Sequence, residues 1–141
     1  NLQLLSGSEW KGSCRKVVNE AGKETNRQPY SRLQSTYTVE SEKLTWSVKS
    51  FKDSDCKSLY EVSKYTFQCT AKPKDIYANC KQVKWEYSKD EKNWESKPMV
   101  DHSGHPNILE IQAAAKLSKP NKAELTTVGE SGDPEKESLS K

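Results

Sequence analysis

The chain has 141 residues, 23 basic against 20 acidic, with a net charge of +3 and a mean hydropathy of −1.00. That length suits one domain. The two charge signs alternate and only three of the basic residues are Arg, which argues against the concentrated basic stripe of a nucleic-acid reader.

No apolar run approaches the roughly 20 residues that span a bilayer as a helix. Leu, Ile, Val and Phe total only 23 residues, a fraction low enough to suggest disorder. Weak net charge, four Trp, six Tyr and four Cys oppose that reading. They favour a small, crosslinked, aromatic-rich β domain.

In chain order, residues 1–8 read as a polar lead. A first strand spans about 9–18 and ends in the polar segment 19–29, which holds Gly22 and Pro29. Strict alternation follows. Leu33, Ser35, Tyr37 and Val39 form one face, and Leu44, Trp46 and Val48 continue it after Ser41-Glu42. Folding about the Ser41–Glu42 bond sets Val39 against Leu44, Tyr37 against Trp46 and Glu40 against Lys43. Each is a favourable cross-strand pair. Ser-Glu is a poor primed-turn dipeptide, so a four-residue loop is expected.

The third strand runs to Phe51, whose parity suggests a bulge. Lys52-Asp53-Ser54-Asp55 is a turn. Strands are expected at about 57–69 and 76–87, the latter with Val83, Trp85 and Tyr87 on one face, around a turn at Lys72-Pro73-Lys74-Asp75. Residues 88–107 form a long connection. The stretch 107–117 fits a strand burying Leu109, Ile111, Ala113, Ala115 and Leu117, or a helix capped by Asn107. The strand is favoured, because a turn at 119–122 then leads into 123–128. Residues 129–141 read as a mobile, charged tail. The expected domain is thus 9–128.

Cys14, Cys56, Cys69 and Cys80 place the chain outside the reducing cytosol. Four cysteines allow three pairings. Folding about the Lys74–Asp75 bond sets Cys69 opposite Cys80, Ala71 opposite Ala78 and Phe67 opposite Gln82. Directly opposed residues meet the separation a disulfide requires. Cys14–Cys56 follows by elimination. The chain begins at Asn1 without Met. A secreted chain relieved of its leader would begin this way, and so would a trimmed segment.

Trp10-Lys11-Gly12-Ser13-Cys14, followed by Asp53-Ser54-Asp55-Cys56 after an alternating hairpin, resembles small bacterial lipocalin-like secreted proteins and lipoproteins. The likeness covers about residues 5–60. It implies an all-β, antiparallel up-and-down barrel of about 7–8 strands with a Trp plugging one end, and a small apolar ligand inside. A β-sandwich is the alternative fold.

Chemistry is sparse. Asp101, His102 and His105 are too few for a closed zinc site and read better as a loop. Asp53 and Asp55 lack the glycine and distal Glu of a calcium loop. No Gly-x-Ser-x-Gly elbow or phosphate-cradling loop occurs. No catalytic residue, metal or cofactor is therefore assigned, and the chain is read as non-enzymatic. Trp10, Leu33, Tyr37, Leu44, Trp46, Val48 and Trp85 are the candidate cavity lining. Trp94, in the charged segment 89–97, reads as an exposed aromatic for a sugar or a partner.

The reading is an extracytoplasmic binding protein (secreted, periplasmic or a surface lipoprotein) that holds a small apolar ligand. The alternatives are a cell-envelope interaction module with a filled barrel and a carbohydrate-binding sandwich. Neither nucleic acid nor a membrane span is expected, while an upstream lipid anchor is compatible.

Overall fold

A computed structural model describes residues 2–19, 21–24, 30–71, 74–130 and 132–141. Ten antiparallel strands form one sheet: β1 (Trp10–Lys11), β2 (Arg15–Lys16), β3 (Arg32–Glu40), β4 (Lys43–Phe51), β5 (Leu59–Thr70), β6 (Ala78–Ser88), β7 (Glu95–Ser96), β8 (Glu110–Lys119), β9 (Lys122–Val128) and β10 (Pro134–Ser140). One turn of 3-10 helix, Leu2–Leu5, precedes them. No helix among the described residues is long and apolar enough to cross a membrane.

The hydrogen-bonded order is β1-β10-β9-β8-β6-β5-β4-β3, and β1 also pairs with β3. The sheet therefore returns on itself as an irregular ring. β2 hangs on β3 and β7 on β6. The closing seam is short: Trp10 and Lys11 face Tyr37 and Thr36 on one side, and Lys11 faces Ser140 on the other.

The β3–β4 hairpin has the register its alternation dictates, with Tyr37 opposite Trp46, Val39 opposite Leu44 and Glu40 opposite Lys43. Its loop is shorter than expected. Only Ser41 and Glu42 separate the strands, and Ser41 adopts a left-handed φ of 55°. Forcing a serine there costs on the order of 1–2 kcal/mol. Nine paired positions along the two strands outweigh that cost.

A register shift falls at Ser50/Phe51, but its extra residue is Tyr60 of β5; Phe51 itself stays in register with Arg32 of β3. A second falls at Thr66/Phe67, where Val83 is the extra residue of β6. Val83 is consequently 46% exposed and does not share a face with Trp85 and Tyr87.

Both disulfides form, Cys14–Cys56 and Cys69–Cys80. Cys69 lies directly opposite Cys80, and Phe67 opposite Gln82. In the 52–58 turn, Asp53 accepts amide hydrogen bonds from Lys57 (3.0 Å) and Ser58 (2.9 Å). It is a capped turn, and Cys56 within it takes a φ of 54°. Pro29 of the 19–29 segment, and Lys72 and Pro73 of the 72–75 turn, lie outside the described residues.

Three expectations change. The lead is not a loose polar segment, because Leu2 and Leu5 are buried against the core. The single first strand is two short ones, β1 and β2. Residues 134–140 are not a mobile tail but β10, paired with β9 over seven positions and burying Leu139. Residues 110–119 are strand. However, Leu109 and Leu117 stay exposed, at the ends of a stretch whose buried part is Ala113-Ala114-Ala115.

Leu2, Leu5, Trp10, Val39, Leu44, Phe67, Leu125 and Leu139, with the Cys69–Cys80 bridge and several alanines, fill the interior as one cluster. The Trp10 indole donates to the Leu5 carbonyl (3.0 Å), so this buried Trp also anchors the N-terminal turn.

Candidate functional site

The site begins with a gap in the ring. β6 pairs with β8 only from Ala78 to Lys81, and one further bond, Gln82 N–H to Leu109 C=O, closes the seam. Beyond it β6 takes β7 as its partner. Beyond Gln82, β6 and β8 form no further pairs among the described residues, which interrupts the ring around its inner face.

An aromatic row crosses that inner face. In-register positions of four adjacent strands place Tyr37, Trp46, Tyr65 and Trp85 side by side. Ring centroids are 6.4, 5.1 and 6.1 Å apart in succession. Only two members, Tyr37 and Trp46, are foreseeable as a pair from alternation. The Val83 bulge is what restores Trp85 to the same face.

A cleft of about 590 Å³ opens against the Tyr37–Trp46 end of this row. Its floor is Leu44, Trp46 and Phe67, and its opposite wall is Ile111 and Leu125. Ser35 and Tyr37 form one side, and β10 supplies Glu135 and Glu137 at the mouth with Arg15 and Asp133.

Of the candidate lining residues, Tyr37, Leu44 and Trp46 stand on the cleft wall. Trp10 is in the core instead. Leu33, Val48 and Trp85 are not among the residues around the cleft. The residues that sequence reasoning missed came from three places. Ser35 was on the right face but polar. Phe67, Ile111 and Leu125 lay on strands whose approach to Tyr37 and Trp46 local pairing did not set. Glu137 sat in the presumed tail, where Glu135, Glu137 and Leu139 already alternate.

Among the described residues, two buried indole N–H groups of this region, Trp46 Nε1 and Trp85 Nε1, have no hydrogen-bond partner, and the buried Ser35 hydroxyl has the Tyr37 phenol beside it. Each unmet group is destabilising by about 1–3 kcal/mol. Native structures satisfy nearly all such groups, through protein or ordered water.

At the mouth, the Tyr37 hydroxyl donates to Glu137 Oε2 (3.1 Å). Burial, and then the Glu137 carboxylate, hold the Tyr37 phenol well above its usual range. Burial also raises Glu137, against the opposing pull of Tyr37 and Arg15. Gly12 makes this contact feasible. A methyl group there would run into the Glu137 carboxylate.

Other features are less suited to a ligand. A larger depression of about 770 Å³ spreads over the outer ends of β5, β6 and β8. Its walls are Gln68, Asn79, Gln112 and the exposed Lys81–Glu110 pair, the chemistry of a solvated groove. Trp94 is half-buried rather than exposed. It lies on the outer face beneath Lys64 Nζ, 3.9 Å from the ring centroid. In the His loop, Asp101 Oδ1 accepts from the Ser103 amide and hydroxyl and from the His105 amide. Its carboxylate thus organises the loop.

Comparison with known protein families, curated proteins and solved structures finds no match to this chain.

Proposed function

We propose that this is a non-enzymatic, extracytoplasmic binding protein that holds a small apolar ligand inside the β ring. One observation carries the reading: a cleft of about 590 Å³ whose apolar wall is Leu44, Trp46, Phe67, Ile111 and Leu125, beside a polar side formed by Arg15, Ser35, Glu135 and Glu137. That size falls within the range of ordinary small-molecule sites. The two disulfides support a location in an oxidising compartment. The lipocalin-like spacing of Trp10, Cys14 and Cys56 agrees with a ligand-holding barrel.

A panel of lipids and fluorescent apolar probes tests it. Saturable binding that is lost in Ile111→Arg, with an unchanged circular-dichroism spectrum, is the expected result. Failure of every probe to bind would remove the reading.

A second reading has its own observation. Val100, Ile108 and Leu109 are exposed at the end of the 88–107 connection, which suits an envelope protein that docks a partner there. The carbohydrate reading draws less support, since the aromatic row faces inward and Trp94 lies flat on the sheet under a lysine.

A further inference from the structure

The cleft offers unmet hydrogen bonds as well as oil. Ser35 and Trp46 stand on adjacent strands, Ser35 opposite Val48 and Trp46 opposite Tyr37, so they are diagonal neighbours on the inner face. Both line the cleft. Ser35 is 2% exposed and its hydroxyl lies within reach of the Tyr37 phenol, while the Trp46 indole N–H has no partner. An indole N–H can only donate, whereas a hydroxyl can turn to donate or accept. An unmet indole donor with a hydroxyl beside it calls for an acceptor.

Charge at the mouth narrows the choice. Asp133, Glu135 and Glu137 stand there against Arg15 and Lys136. A fatty-acid carboxylate would enter past three carboxylates, one of them already engaged by Tyr37. A neutral molecule meets no such opposition.

Resting on the binding reading above, we infer that the cleft selects a neutral apolar molecule bearing a carbonyl-type oxygen, which accepts hydrogen bonds from the Trp46 indole and the Ser35 hydroxyl. The apolar body packs on Leu44, Phe67, Ile111 and Leu125. Both atoms are buried, so ligand entry turns the Trp46 ring enough to expose its N–H. A site with buried polar groups rejects an analogue that leaves them unpaired far more strongly than it rejects a small change of size.

The test uses isothermal titration of the whole chain with 2-acetylnaphthalene, its isostere 2-ethylnaphthalene, and decanoate. The ketone should bind about tenfold or more tightly than the hydrocarbon. Trp46→Phe keeps an aromatic wall and removes the donor. It should bring the two naphthalenes within about threefold by weakening the ketone alone, and Ser35→Ala should act in the same direction. Thermal melts of both variants establish that they fold. Equal binding of ketone and hydrocarbon, or tighter binding of decanoate, overturns the inference and leaves the cleft reading standing. If no naphthalene and no decanoate binds, both fall.

Discussion

Tyr37 joins two elements that are a hundred positions apart in sequence, through its hydrogen bond to Glu137. Its phenol is raised above the ordinary value of 10.0, first by burial and then by the carboxylate. The folded protein therefore keeps a proton that the unfolded chain releases near pH 10. This contribution to stability is complete below pH 10 and is lost as pH rises above it. Tyr87 behaves alike, pushed up to about 12 chiefly by its hydrogen bond to Glu61 (2.7 Å), but on an exposed surface.

Spectrophotometric titration should thus show Tyr37 and Tyr87 ionising above the ordinary phenol range. Tyr37→Phe should delete one late step, and a single transition near pH 10 for all six would contradict the assignment. Gly12→Ala should displace Glu137 from Tyr37. The measurable consequence is a Tyr37 titration moved back towards the ordinary range, with a stability loss of about 1 kcal/mol in urea unfolding.

Among the elements, β1 has the largest effect for its length. Two residues close the ring, held by the burial of Trp10 and by the Cys14–Cys56 bridge just beyond. Trp10→Ala should destabilise by about 3–5 kcal/mol, read by urea denaturation. A loss under about 1 kcal/mol would mean the ring does not depend on this seam. The Cys14–Cys56 loop spans 42 residues and the Cys69–Cys80 loop 11. Chain entropy assigns about 4 and about 3 kcal/mol to them. Cys14→Ser/Cys56→Ser should therefore unfold at lower urea than Cys69→Ser/Cys80→Ser, and the reverse order would count against that accounting. β10 makes a separate prediction. Its amides facing β9 should be protected from hydrogen exchange like those of β9 itself, whereas exchange at the rate of a free tail would contradict the pairing.

Across the whole molecule, legibility followed local pattern. Alternation from Leu33 to Val48 fixed the β3–β4 register, and antiparallel geometry fixed Cys69 against Cys80. Both use neighbours close in sequence. The ring closure does not, since β1 meets β10 across nearly the full chain. β10 was hidden because its outward residues are Pro134, Lys136, Ser138 and Ser140 and its inward ones are two Glu and a Leu, which leaves one apolar side chain to mark a buried face. The Ala triplet of β8 suits helix and strand alike until β9 supplies a partner. Three wall residues of the cleft, Tyr37, Leu44 and Trp46, were therefore visible. Its opposite wall comes from strands that only the closed ring brings to face them.

Native mass spectrometry of the protein purified from its own host tests the binding claim most directly. The account predicts a population carrying one extra neutral organic mass, with both disulfides intact, and its disappearance in Ile111→Arg. A wild-type protein that emerges only as the bare chain from gentle, detergent-free preparations, and binds no apolar probe afterwards, would contradict it.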